Sequence, residues 1–121
     1  MPLDASNIPP ELLNLLQEMS SEPVLIGATD GDYQIKSGEG VIRVVPPGAS
    51  TTKITLPGVA EAKGQQILVI SIGNATGTIT IEEQGDGVIA FADVILTLDL
   101  DYVVVKNIAG LFWVPIHEVS T

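Results

Sequence analysis

The chain contains no cysteine and a single histidine, His117. The first absence excludes disulfides and every zinc site built on thiolates. The second leaves no histidine cluster for a metal and no ordinary partner for a catalytic dyad. Basic residues are also scarce: five Lys and Arg stand against fifteen Asp and Glu, a net charge of −10. Affinity for nucleic acid is mostly Lys and Arg neutralising phosphates, so no nucleic-acid partner is expected, and an anionic membrane is disfavoured for the same reason. A basic protein surface is the partner that such a charge attracts, and the charge also keeps a rather apolar domain in solution.

No apolar run reaches the roughly 20 residues that a membrane-spanning helix requires. Met1-Pro2-Leu3-Asp4 lacks the basic and apolar segments of a secretory signal. Synthesis in a cytoplasm is therefore expected. No glycine-rich loop precedes a helix, so a phosphate cradle is missing, and no serine or threonine sits in a nucleophile elbow.

What the chain does have is branched and hydroxylated residues in short runs. At 121 residues and 45% apolar content it suits one domain with its own core. Only one stretch reads as helix. In Asn7 to Met19, Ser6 or Asn7 can cap the start and Pro9-Pro10 fits a first turn that needs no amide donor. Ile8, Leu12, Leu15, Leu16 and Met19 recur at helical spacing as one apolar stripe, and Pro23 ends the segment. So short a helix is marginal alone in water, so it must lie against something. Either it covers its own β domain or it packs against other subunits.

From Val24 onward the period changes to that of strands. Candidates are Val24–Ile26, Tyr33–Ile35, Val41–Val45, Lys53–Leu56, Ile67–Ile72, Thr78–Ile81, Val88–Phe91, Ile95–Leu98 and a hairpin of Tyr102–Val105 with Leu111–Ile116. Gly, Asp, Asn or Pro separates each from the next, with turns at the spacing of a sandwich, jelly roll or barrel. Ile67–Ile72 is the most apolar run and reads as a central strand buried on both faces. Thr78–Ile81 alternates and reads as half-buried. The expected fold is all-β: an antiparallel β-sandwich or jelly-roll-like domain over residues 24–121, with a short N-terminal α-helix in an arm of residues 1–23. Val59–Gly64 reads as a connection with room for one helical turn.

Chemistry finds little to work with. Asp30 with Asp32, and Asp99 with Asp101, place paired carboxylates in turns, where Asp ordinarily serves backbone conformation and neither pair has the spacing of a calcium loop. Asn74-Ala75-Thr76 matches a glycosylation acceptor but reads better as a turn. His117 beside Glu118 is expected as a solvated residue beyond the last strand. Phe112 and Trp113 are strand neighbours and must point oppositely, one ring into the core and the other outward. No enzyme activity, cofactor or metal is expected.

Read as a string, Ile54-Thr55-Leu56-Pro57, Gly64-Gln65-Gln66-Ile67 and Ile70 to Ile81 resemble a β module of tailed-phage virion proteins. Gly85-Asp86-Gly87-Val88-Ile89, Leu96-Thr97-Leu98, Tyr102 to Val105 and Trp113-Val114 continue the likeness. It spans roughly residues 30–116, departing at Ile70-Ser71-Ile72, where a polar asparagine is usual, and at Ala92-Asp93, where a Gly-rich turn is common. The resemblance implies a capsid decoration (cement) protein, a head fibre, or a tail-fibre or baseplate module, usually a homotrimer. With no stalk, the chain fits a decoration protein on the capsid surface, its partners itself and the major capsid protein. Its expected contact residues are Ile8, Leu12, Leu15, Leu16, Met19, Phe112 and Trp113. The alternative is a fibre or baseplate module that binds a host glycan.

Overall fold

The computed structural model describes residues 24–27, 30–45, 51–72 and 77–119. The expected helix over Asn7 to Met19, its apolar stripe and the Asn74-Ala75-Thr76 turn lie outside the described residues. Within them the chain forms nine strands and no helix. They are β1 (Val24–Ile26), β2 (Tyr33–Gln34), β3 (Val41–Val44), β4 (Thr51–Thr55), β5 (Gln66–Ser71), β6 (Thr78–Glu82), β7 (Val94–Leu96), β8 (Tyr102–Ile108) and β9 (Phe112–Val119).

Two sheets result. The first runs β1-β3-β5-β8-β9 and the second β2-β4-β6-β7. Consecutive strands from β1 to β6 alternate between the two sheets, so neighbours within a sheet are next-but-one in sequence. The pairings β1/β3, β3/β5, β2/β4 and β4/β6 are therefore parallel. Only β5/β8, β6/β7 and β8/β9 are antiparallel. The all-β expectation holds; the antiparallel one fails for the first six strands. The reason lies in the connections. A parallel pair needs a long crossover, usually a helix, and here a strand of the opposite sheet fills that role.

The sheets face each other across one core. Ile42, Val69 and Val103 of the first sheet pack with Ile54, Ile79, Ile81 and Leu96 of the second, all fully buried. Burying each such side chain contributes roughly 1.5–3 kcal/mol. On its outer face the second sheet is polar: Thr51, Lys53, Thr55, Thr78, Thr80 and Glu82 alternate with buried neighbours. Thr51 and Thr78, paired in register, join through their hydroxyls at 2.9 Å. The first sheet differs. Its central strand β5 is buried from Ile67 to Ser71, and Val41, Leu68, Ile70, Ile72, Tyr102 and Val104 make a second apolar cluster on its outer side.

The hairpin of β8 and β9 forms as expected, longer than its apolar runs suggested. Its turn places both Ala109 (φ 55°) and Gly110 (φ 75°) in the left-handed region, with the Leu111 amide donating to the Ile108 carbonyl at 2.9 Å. That geometry matches the right-handed twist of paired strands, and Gly110 adopts it without a Cβ penalty. A bulge between Val104 and Val105 shifts the register toward the far end. His117 lies within β9, opposite Val104, not beyond the last strand.

Candidate interaction surface

One end of the molecule is organised by buried polar groups. Asn107, on the inward side of β8, is fully buried. Its Nδ2 donates to the Val59 carbonyl at 3.0 Å, and its Oδ1 accepts from the Gly110 amide at 2.7 Å and the Gly64 amide at 3.3 Å. Beside it in register is Trp113, whose ring is buried and whose Nε1–H donates to the Pro57 carbonyl at 3.1 Å. Asp86 Oδ2 takes the Val59 amide at 3.1 Å. The stretch from Pro57 to Gln65 is thereby bound to the hairpin and to the loop after β6. Inside it, the amides of Glu61 and Ala62 both donate to the Gly58 carbonyl, forming the single helical turn that its composition allowed. Buried polar groups must be satisfied, and three bonds to one amide side chain satisfy two connections at once.

The acidic turns are used in the same way. Asp30 Oδ2 accepts from the Gly27 amide at 2.7 Å, and Asp32 Oδ1 from the Lys53 amide at 2.9 Å. Asp101 is buried, and its Oδ2 accepts from the amides of Thr97 and Leu98 at 3.2 and 3.1 Å. On the rim of the second sheet, the Tyr33 hydroxyl donates to Glu39, 2.8 Å from each carboxylate oxygen, and Glu39 also accepts the Lys36 amide. Burial, helped by the hydrogen bond and the charge of Glu39, pushes the Tyr33 phenol up to about 12.

Next to the polar end lies an apolar surface. Residues 88–91 form no strand; the loop bends, and the Val88 amide donates to the Leu111 carbonyl at 2.8 Å. Glu83 supports the bend by accepting the Phe91 amide at 3.2 Å, so a side chain takes a donor that a ladder would have used. Phe91 is buried, but Val88 (70% exposed), Ile89 (55%) and Leu111 (49%) stand out in solvent on two connected loops. Scattered exposed apolar residues are ordinary; adjacent ones joined by backbone are a candidate contact surface.

Of the expected contact residues, Trp113 is the inward ring and Phe112 the half-buried outward one. Ile8, Leu12, Leu15, Leu16 and Met19 lie outside the described residues. Val88, Ile89 and Leu111 were missed because a short apolar run after a glycine turn reads as a strand. Among the described residues no helix is long and apolar enough to cross a membrane. No protein-family profile matches the chain, and no curated protein matches it significantly.

Proposed function

We propose that this chain is a structural component of a phage particle, a non-enzymatic capsid decoration protein that assembles as a homotrimer and fastens neighbouring shell subunits together. The observation that carries the reading is the exposed apolar group of Val88, Ile89 and Leu111, held on a backbone braced by Asn107, Asp86 and Glu83. A braced apolar surface loses little conformational entropy when it binds, so more of its burial appears as affinity. Binding only the assembled shell stabilises that state by mass action, with no chemical step. The net charge of −10 favours a basic face on the partner. The resemblance in the strand and turn residues supports the phage assignment.

The glycan-binding alternative needs an outward aromatic ring. Trp113 is committed to the core, which leaves Phe112 to serve it, so the decoration reading is preferred. The test is mass measurement and negative-stain imaging of the purified chain, alone and mixed with empty shells. A trimer that decorates shells is expected, and Val88→Asp with Leu111→Asp should weaken attachment at least about tenfold, as losing two buried apolar contacts implies. A monomer that ignores shells would overturn the proposal.

A further inference from the structure

We infer that the loop after β6 holds a site for a hard divalent cation of the calcium class, with the Glu83 carboxylate and the carbonyls of Ile89 and Leu111 as its protein ligands. The starting observation is a carboxylate with one oxygen engaged and one left over. Glu83 Oε1 accepts the Phe91 amide at 3.2 Å, which fixes the direction of the group. Glu83 Oε2 is shut off from solvent and has no hydrogen-bond partner. A buried charge is ordinarily paired or bound to a metal, and a buried oxygen with neither is costly.

The surroundings of that oxygen say what is missing. A Cβ built on Gly87 would lie 2.9 Å from Glu83 Oε2, 3.1 Å from the Ile89 carbonyl oxygen and 3.5 Å from the Leu111 carbonyl oxygen. Outside the adjoining residues these are its three nearest neighbours. Oxygens from the end of β6, the bend and the hairpin turn therefore converge beside a glycine, which lets the backbone come that close. All three are acceptors. The Leu111 carbonyl takes the Val88 amide at 2.8 Å and keeps a second lone pair. Residues 82–101 hold six Asp and Glu and no Lys or Arg. The stem of Lys63 passes Gly110, yet Lys63 makes no hydrogen bond to Glu83 Oε2. Acceptors gathered away from water repel one another unless a positive charge lies among them.

Ligand chemistry selects the cation. Oxygen ligands alone suit hard cations and not zinc or copper. Magnesium demands a near-ideal octahedron, whereas calcium accepts irregular mixtures of carboxylate, main-chain carbonyl and water. Among the described residues no three His, Cys, Asp or Glu are placed to hold a metal. Two of the ligands here belong to the backbone, which leaves no signature in residue spacing. With three protein oxygens and water completing the shell, the dissociation constant should fall at about 10⁻⁴–10⁻³ M. Such an ion ties the bend that carries Val88 to the turn that carries Leu111. The site belongs to the chain alone, so its test is separate from that of shell docking.

Calcium titration of the full-length chain, followed by carbon and amide resonances, provides the test. The carbonyl carbons of Ile89 and Leu111 and the carboxyl carbon of Glu83 should move together along one saturable curve. Magnesium should need at least about tenfold more to produce the same movement. Glu83→Gln keeps the shape of the side chain and should weaken binding at least about tenfold, since charge count sets affinity in such sites. Gly87→Ala, which sets a methyl among the oxygens and leaves Glu83 in place, should do the same. Asp93→Asn, an exposed acid two residues beyond Phe91, should leave binding within about twofold. Unchanged amide resonances at Gly64 and Gly110 report that each variant is folded. No saturable movement at Ile89 and Leu111 would overturn the proposal and leave Glu83 Oε2 to a water molecule. Movement confined to exposed carboxylates, or unaltered by both Glu83→Gln and Gly87→Ala, would overturn it equally.

Discussion

The two sheets were built from nearly the same residue types, yet they meet water differently. In the second sheet, Thr78-Ile79-Thr80-Ile81 sends every isoleucine inward and every threonine outward, so one face suffices to hold it. In the first, Ile67-Leu68-Val69-Ile70 offers apolar side chains to both sides and is buried on both. A strand that is apolar on both faces requires two partners, which is why continuous apolar strands are typical of covered sheets. The difference separates a sheet that can serve as an outer wall from one that must sit between layers.

The largest break in that comparison should come from matched substitutions on the two outer faces. Ile70→Ala is expected to destabilise by about 2–5 kcal/mol, as for a buried large-to-small change. Ile95→Ala, half exposed on the second sheet, should cost less than about 0.5 kcal/mol. Denaturant unfolding of both variants checks this, and equal losses would mean the first sheet's outer face is no second core.

A smaller effect sharpens the contrast between polar groups. Asn107→Ala removes three bonds from a buried site on the first sheet and should cost about 2–3 kcal/mol, given roughly 1 kcal/mol for each. It should also loosen Pro57 to Gln65, visible as faster amide exchange at Gly64 and Gly110. The smallest effect is on the rim of the second sheet. Because the folded phenol of Tyr33 is raised above its ordinary value of 10.0 to about 12, its contribution is fully present below pH 10. It is lost as the pH climbs toward 12. The stability difference between the natural chain and Tyr33→Phe should therefore stay constant up to about pH 10 and fall above it, measured by thermal unfolding across that range.

Much of this architecture was legible. The alternation at Thr78–Ile81, the unbroken apolar run at Ile67–Ile70 and the terminal hairpin each carry their pattern in a few adjacent residues, because side-chain period is a local property. Strand direction is not. Val41–Val44 and Gln66–Ser71 would read the same whether paired parallel or antiparallel; what decides is that Thr51–Thr55, lying between them, joins the other sheet. Asn107 lies between the two apolar runs of the hairpin, where asparagine favours turns, and its bond from the Gly110 amide is of that local kind; Gly64 and Val59 reach it from 43 and 48 residues away, which no local pattern reveals. The exposed apolar group of Val88, Ile89 and Leu111 was hidden for a similar reason. Val88-Ile89 has strand propensity, and only the bond from Val88 to Leu111 and the pull of Glu83 on Phe91 reveal a bend there.

The alternation of β1 to β6 between the sheets has a mechanical consequence. Of the eight links between successive strands, six pass from one sheet to the other, like a cord stitched back and forth through two panels. Neither panel can peel away whole, since every stitch would have to tear together. Parting the sheets therefore means separating them at all six crossings.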